Sequence, residues 1–157
     1  MSYTINKVCI KDDVLIGNNV TIVEPVNLYG CEIGSNSFVG PFCEIQKGAI
    51  IGINTRVQSH CFICDLVQIG NDCFISHGVM FVNDTFKAGK RAFGDESKYL
   101  PTLINDRVTI GTGAIILPVS ICSDVIIGAG SVVIRDIKKS GVYAGNPARL
   151  IRSLSDE

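Results

Sequence analysis

The stretch from Ile33 to Asn83 reads IGSNSFVGPFCEIQKGAIIGINTRVQSHCFICDLVQIGNDCFISHGVMFVN and decides the fold. A large apolar residue stands at every sixth position, without exception: Ile33, Val39, Ile45, Ile51, Val57, Ile63, Ile69, Ile75 and Phe81. A helix repeats about every 3.6 residues and a strand about every two, so neither explains this period. A six-residue period is typical of a parallel β-helix, in which three hexads, about 18 residues, complete one coil.

A second column lies four residues after the first, and its members are small or slender: Ser37, Cys43, Ala49, Thr55, Cys61, Val67, Cys73 and Val79. Each hexad therefore turns one large and one small side chain inward. The pattern predicts an all-β fold, a left-handed parallel β-helix of triangular section. Three of the seven cysteines stand in the small column, so we interpret them as buried apolar residues and expect neither a disulfide framework nor a metal site.

The period extends in both directions from this stretch. It begins at Ile10, is interrupted by a polar segment after Asn83, resumes at Ile104 and ends near Asp136, which gives 19 hexads or about six coils. We expect a single domain over 1–157, with the β-helix at 1–136, an extruded loop at 84–103 and a tail at 137–157. Within the tail, Asn146 as N-cap and Pro147 at the first helical position predict a short C-terminal helix.

Composition excludes several classes of function. The formal net charge is −1, so no basic field is expected to attract nucleic acid or an acidic membrane. The longest apolar run is about half the ~20 residues that a membrane span needs, and the N-terminus does not resemble a signal peptide. We therefore predict a cytoplasmic protein. Some positions that face outward are apolar, for example Phe38, Phe42, Phe62 and Phe74. We expect these side chains to be buried against other copies of the chain, and we predict a homotrimer.

Several motifs resemble a known family. The hexads, together with IGTGAIILP (110–118), IGAGSVV (127–133) and AGNPARLI (144–151), are similar to the left-handed β-helix acyltransferases. Three more segments, VGPFCEIQKGAIIG (39–52), QSHCFIC (58–64) and SHGVMFVND (76–84), resemble the sugar-nucleotide N-acetyltransferases of surface-polysaccharide biosynthesis, such as O-antigen and lipopolysaccharide. The resemblance implies acetyl-CoA as co-substrate, a nucleotide-linked amino sugar as acceptor, and sites between the subunits of a trimer. Among acceptors it favours a dTDP-linked 3-amino-3,6-dideoxyhexose or a related UDP sugar.

Candidate residues for acyl transfer to an amine are few, because the reaction needs a proton acceptor and groups that position the amine. The chain has two histidines, His60 and His77, which are 17 residues apart and should lie near one edge. Asn83 is 18 residues after Asp65, so these two should stack on one corner. We predict that His77 accepts the proton and that Asp84 and Asn83 position the amine. The predicted substrate contacts are Asp65, His60, Asn105 and Asp106.

The predicted coenzyme A site uses backbone amides at small residues, which allow a pantetheine arm to approach closely, and cations for its phosphates. The amides belong to Gly111, Gly113, Ala114, Gly128, Ala129 and Gly130, and the cations are Lys138, Lys139, Arg149 and Arg152.

Alternative interpretations remain open at this point. Each histidine could be structural, each Asn or Asp could cap a turn, and the cations could form a solvated face. A γ-carbonic-anhydrase-like site needs three zinc-binding histidines, whereas the chain has two. An ice-binding β-helix needs a flat, repeated Thr face, which the chain lacks. A β-helix with no catalytic function is a further possibility. A sugar O-acetyltransferase is the nearer rival. The hexose, the nucleotide and the position of the amine, 3 or 4, stay undecided.

Overall fold

The computed structural model describes residues 4 and 7–154. Short parallel strands stack into three sheets, which form the three faces of a β-solenoid. Face 1 holds β1 (Leu15–Ile16), β4 (Glu32–Ile33), β7 (Ile50–Ile51), β10 (Val67–Ile69), β13 (Thr102–Ile104) and β16 (Ser120–Ile121). Face 2 holds β2 (Thr21–Ile22), β5 (Phe38–Val39), β8 (Arg56–Val57), β11 (Phe74–Ile75), β14 (Thr109–Ile110), β17 (Val125–Ile127), β19 (Gly141–Ala144) and β20 (Arg149–Arg152). Face 3 holds β3 (Asn27–Leu28), β6 (Glu44–Ile45), β9 (Phe62–Ile63), β12 (Met80–Phe81), β15 (Ile115–Ile116) and β18 (Val132–Val133).

The large residues of the hexads stack in register along each face. On face 1, Ile33 pairs with Ile51 and Ile51 with Ile69, and Ile69 then pairs with Ile104 across the long loop. These side chains and the small column fill one continuous core, in which Ile45, Ile63 and Ile75 are completely buried. The predicted all-β solenoid is thus confirmed.

The number of coils is slightly larger than predicted. Isolated bridges join Ile10 to Leu28 at one end and Ile121 to Ile137 at the other, and β19 adds a further rung to face 2. The solenoid therefore makes about seven turns instead of about six. The period undercounts because the rungs at Ile137 and β19 lie after its end near Asp136 and are not complete hexads.

All seven cysteines are free thiols, and five of them are buried. Cys43 and Cys61 stack in the small column and donate to the carbonyl oxygens of Gln58 and Ser76, each at 3.0 Å. Burial raises the pKa of Cys31 to about 11 and that of Cys64 to about 12. These two thiols are protonated at neutral pH and are buried although they lie outside the small column, whereas Cys43, Cys61 and Cys73 are buried core residues as the sequence predicts.

The extruded loop lies between β12 and β13, and its regular structure is a single 3-10 turn at Glu96–Lys98. Asp84 organises the start of the loop, because its two carboxylate oxygens accept the amides of Phe86 at 2.9 Å and Ala92 at 2.7 Å. An ion pair of 2.6 Å between Lys47 and Glu96 ties the loop to an earlier coil. The loop is therefore a folded part of the molecule.

The predicted C-terminal helix is wrong. Residues 141–144 instead pair in parallel with β17, and the chain then turns so that β20 pairs antiparallel with β19. The open edge of face 2 offers unpaired backbone groups, which a strand satisfies one after another. A helix of two turns would be marginal on its own, and it would gain little from packing here, since Ile151 is 63% exposed.

No helix among the described residues is long and apolar enough to cross a membrane.

Candidate functional site

His77 lies on the edge where face 2 turns into face 3, between β11 and β12, and its side chain is exposed. Its Nδ1 is 2.8 Å from the Oγ of Ser59, which stands 18 residues earlier on the coil below. When Nδ1 carries the proton and donates to the hydroxyl, Nε2 is left as a free acceptor. Ser59 was not among the predicted site residues, although the 18-residue period alone would have paired it with His77.

The next coils continue this edge above His77. The carbonyl of His77 accepts the amide of Gly113 at 2.9 Å, and the carbonyl of Thr112 accepts that of Gly130 at 2.8 Å. Gly78, Gly113 and Gly130 thus occupy equivalent left-handed positions on successive coils, with φ of 67°, 68° and 66°. We call these three residues the glycine edge. A Cβ on any of them would have no heavy atom within 4 Å, so the space outside this edge is open.

Packing does not require glycine on the glycine edge, and the left-handed backbone favours glycine there without excluding other residues. At the edge between faces 1 and 2 the equivalent left-handed positions hold larger residues: Asn19, Asn36, Asn54, Asp72, Arg107 and Asp124. The turns of this solenoid therefore accept side chains. Gly111 is different, because its Cβ would lie 2.5 Å from the amide nitrogen of Ala129.

The predicted coenzyme A amides are all near this edge, but most of them already have acceptors. Gly111 donates to Ile127, Gly128 donates to Tyr143, and Ala114 is fully buried and donates to Gly111. Among the described residues, the amide of Ala129 is the one in the predicted set that donates to no protein acceptor. Small residues here mainly leave space, and the amide of Ala129 is available to a ligand.

Asn83, Asp84 and Asp65 lie at a different edge, where face 3 turns into face 1. The structure brings Asn83 and Asp65 together, because Nδ2 of Asn83 donates to the carbonyl oxygen of Asp65 at 3.3 Å. The backbone amide of Asp65 donates to Oε1 of Gln46, also at 3.3 Å. Asp84 is half-buried, and both of its carboxylate oxygens bind the loop backbone. This corner joins the coils to the loop.

The loop encloses a cavity of about 350 Å³ with several basic side chains around it. Lys98 is paired with Asp95 at 2.8 Å, whereas Lys87 and Lys90 form no ion pair with any described residue. The lining residues are Asp84, Thr85, Lys87, Ala88, Lys90, Ala92, Ser97, Lys98 and Leu100. The positive charge suits an anionic ligand.

Asn105 and Asp106 are not next to the other predicted contacts. They follow β13 and therefore lie at the edge between faces 1 and 2, where Asp106 accepts the amide of Asn71 at 2.7 Å. The return of the loop suggested proximity to Asn83, but the loop returns into face 1, so the next corner is one edge further around the coil.

His77 and Asn83 stand at opposite edges of face 3. Six residues of extended chain separate them, which corresponds to at most about 20 Å. Within one subunit the two residues therefore belong to different edges of the solenoid. Face 3 between them is apolar on the outside, where Phe62, Met80 and Ile115 lie in register.

His60 and the basic residues complete the predicted set. His60 lies one coil below the glycine edge and stacks on Phe42, with ring centroids 4.8 Å apart. Lys138 and Lys139 are exposed between the Ile137 rung of face 1 and β19 of face 2, at a different edge from the glycine edge, and Arg149 and Arg152 are exposed on β20. The described residues include no group of three or more His, Cys, Asp or Glu that could hold a metal ion.

Comparisons with known proteins agree with this architecture. Residues 30–65 match the family model "Bacterial transferase hexapeptide (six repeats)", and residues 101–135 match "Hexapeptide repeat of succinyl-transferase". No curated protein sequence matches the chain.

Three solved structures illustrate the structural similarity. A hexapeptide-repeat-containing acetyltransferase from Vibrio cholerae O1 biovar eltor, complexed with acetyl coenzyme A, is 27% identical with a TM-score of 0.68, over 82% of this chain and 73% of the other. AntD, an N-acyltransferase from Bacillus cereus in complex with dTDP and coenzyme A, is 20% identical with a TM-score of 0.70, over 92% and 79%. A hexapeptide transferase family protein from Anaplasma phagocytophilum is 19% identical with a TM-score of 0.71, over 91% and 80%. The predicted resemblance to hexapeptide-repeat acyltransferases is confirmed, and the comparisons support acyl transfer as the class of chemistry.

Proposed function

Because the chain is a hexapeptide-repeat protein that resembles acyltransferases, we propose that it transfers an acetyl group from acetyl-CoA to the amine of a nucleotide-linked amino sugar. The observation that carries the proposal is the pairing of His77 with Ser59 at 2.8 Å, directly below the glycine edge. A histidine held by its Nδ1 beside an open lane is the arrangement that a general base needs next to a bound acyl donor.

The acyl donor would lie along the glycine edge. An extended pantetheine arm needs backbone that it can approach closely, and no side chain projects from Gly78, Gly113 or Gly130. The amide of Ala129 is free to donate to a carbonyl of the arm. Lys138, Arg149 and Arg152 lie at the C-terminal end, toward which the phosphates of the donor would extend. The Vibrio cholerae relative was crystallised with acetyl coenzyme A.

His77 would act on the acceptor. The amine nitrogen attacks the thioester carbonyl carbon, the new C–N bond forms, and the C–S bond breaks as the coenzyme leaves. Nε2 of His77 takes the proton that the amine loses and can return it to the departing thiolate. Ser59 keeps the imidazole oriented through Nδ1, so it is a positioning residue.

The acceptor site would lie between two subunits. His77 and the group of Asn83, Asp84 and Asp65 occupy opposite edges of face 3, so we assign their contacts with one amine to different copies of the chain. The apolar outside of face 3 favours such packing, and we expect a homotrimer. The loop of one copy would then cover the acceptor, with Lys87 and Lys90 near its diphosphate.

The reaction is tested by measuring free-thiol release from acetyl-CoA with a panel of dTDP- and UDP-linked 3-amino and 4-amino sugars. We expect turnover with at least one of them and a fall of about 10²-fold or more in kcat/KM for His77→Ala. Lys11→Ala is the matched control, because Lys11 is an exposed residue at the N-terminal end of the solenoid and is not part of the proposed site. Wild-type turnover by His77→Ala, with the control also unchanged, would refute the role of His77.

The same panel should include sugars that present only hydroxyl groups. The Ser59–His77 pair also fits transfer to a hydroxyl, which needs a stronger base than an amine does. O-acetylation therefore predicts a larger loss in His77→Ala than N-acetylation. If the acceptor is an amino sugar destined for a surface polysaccharide, its use of acetyl-CoA places the reaction in the cytoplasm.

A further inference from the structure

On the coils below the glycine edge, the equivalent left-handed positions hold aromatic residues instead of glycine. Gly78 is followed, one coil down, by His60 and then by Phe42, with φ of 63° and 62°. The two rings stack on each other with centroids 4.8 Å apart and planes inclined by 31°. We call this pair the aromatic step. It stands on the N-terminal side of His77, whereas the acyl donor would lie on the C-terminal side.

The aromatic step is exposed to solvent. Phe42 is 57% exposed, and a ligand that covers its phenyl ring would remove apolar surface from water. Among the described residues the imidazole of His60 has the ring of Phe42 as its contact and no hydrogen-bond or ion-pair partner. A flat apolar surface next to an exposed ring N–H or nitrogen is suited to a heteroaromatic ring, which can stack and form a hydrogen bond at once.

Spacing along the edge fits the acceptor of the proposed reaction, on which this inference rests. Successive coils are about 4.8 Å apart, so His60 lies roughly 5 Å and Phe42 roughly 10 Å from the level of Gly78. The amine must be beside His77, and a nucleoside diphosphate sugar carries its base at the far end from the sugar. Extending the acceptor away from the donor therefore brings the base onto this pair.

We propose that the aromatic step, Phe42 with His60, is the site where the nucleobase of the acceptor stacks. Phe42 supplies the flat apolar surface, and His60 supplies a ring nitrogen to the edge of the base. Because every base has a π-face, this site selects for a nucleotide-linked sugar over a free sugar more strongly than it selects among bases.

The test measures binding without catalysis. The dissociation constant of dTDP, and separately of UDP, is determined by calorimetry for the wild type and for Phe42→Ala, Phe42→Leu and Phe42→Tyr. We expect Phe42→Ala and Phe42→Leu to weaken dTDP binding by about tenfold or more, and Phe42→Tyr to stay within about twofold of the wild type. Deoxyribose 5-phosphate, which lacks the base, should bind all four proteins equally.

Two controls separate this inference from the proposed function and from subunit contacts. Ile53→Ala removes an exposed apolar side chain at the edge between faces 1 and 2 and should leave dTDP binding unchanged. Acetyl-CoA binding should be the same in all variants. If acetyl-CoA binds but the wild type does not bind dTDP or UDP, or if Phe42→Ala binds dTDP as the wild type does, the inference is wrong while acyl transfer stands. A change of sedimentation coefficient in Phe42→Ala would also overturn it, because the ring would then be a subunit contact.

Discussion

Asp84 should hold the extruded loop closed, and replacing it by alanine should open the loop without unfolding the solenoid. Its carboxylate accepts two loop amides, those of Phe86 and Ala92. A hydrogen bond to a charged group contributes about 1.5–3 kcal/mol. Because Asp84 is half-buried and partly solvated, we take about 1 kcal/mol for each bond. Asp84→Ala should therefore lower the free energy of loop opening by about 2 kcal/mol.

Native-state amide hydrogen exchange measures this opening directly. A change of about 2 kcal/mol corresponds to roughly 30-fold faster exchange at the amide of Ala92, since every 1.4 kcal/mol is a factor of ten. Asp84→Asn keeps one carbonyl oxygen and should give an intermediate rate. Asp136→Ala removes a similar bond, from the amide of Ser120 at 2.9 Å, at the far end of the solenoid, and should leave the loop unchanged.

The outcome also separates the two roles of Asp84. Unchanged exchange at Ala92 in Asp84→Ala would refute the argument that its carboxylate holds the loop. If Asp84→Asn exchanges like the wild type but loses kcat, the carboxylate must contact the acceptor itself. If exchange and the KM of the acceptor change together while kcat stays the same, Asp84 acts through the loop.

The remaining predictions concern the base, the core, the thiols and the assembly. Ser59→Ala should lower kcat/KM about fivefold to tenfold through loss of one hydrogen bond, without lowering Tm, and Ser59→Thr should restore it. Ile63→Ala should destabilise the fold by about 2–5 kcal/mol in urea denaturation, because Ile63 is completely buried. The free energy of unfolding should fall as pH rises from 9 toward 11, because the pKa of Cys31 is raised to about 11 in the folded chain and the unfolded thiol loses its proton first; the slope should be smaller in Cys31→Val. Sedimentation should show a trimer, and a monomer in dilute solution would contradict the intersubunit site.

The solenoid was predictable because its stability comes from one repeated event. Each hexad buries one large residue, and the position of that residue fixes the register with the coil below, as Ile33, Ile51 and Ile69 show. The same rule predicted the neighbourhood of Asp65 and Asn83, which the structure contains. It did not predict the C-terminal hairpin. The last two strands form because they pair with the open edge of face 2, and their sequence does not follow the six-residue period.

The candidate site was predictable only in part, because the period gives the neighbours of a residue along one edge but not which edge a ligand uses. Asn105 and Asp106 were predicted as substrate contacts together with Asp65. The loop returns into face 1, however, so these two residues lie at the edge between faces 1 and 2. The period also directed attention from His60 to His77, which are 17 residues apart, whereas the true partner of His77 is Ser59 at 18. A shift of one residue along the coil therefore decides whether two side chains form a hydrogen bond.

The edges of the solenoid differ in their side chains, and this difference supports the proposed place of the site. On the edge between faces 1 and 2, side chains at the left-handed positions bind one another, for example Asn54 to Asp72 at 2.6 Å and Arg107 to Asp124 at 2.7 Å. The polar side chains on that edge are therefore already bound to one another. On the edge between faces 2 and 3 the glycine edge has no such side chains, and His77 and the aromatic step face the solvent beside it. Since both edges share the same backbone turn, the difference lies in the side chains, and the edge without these contacts is the one on which we propose that the reaction takes place.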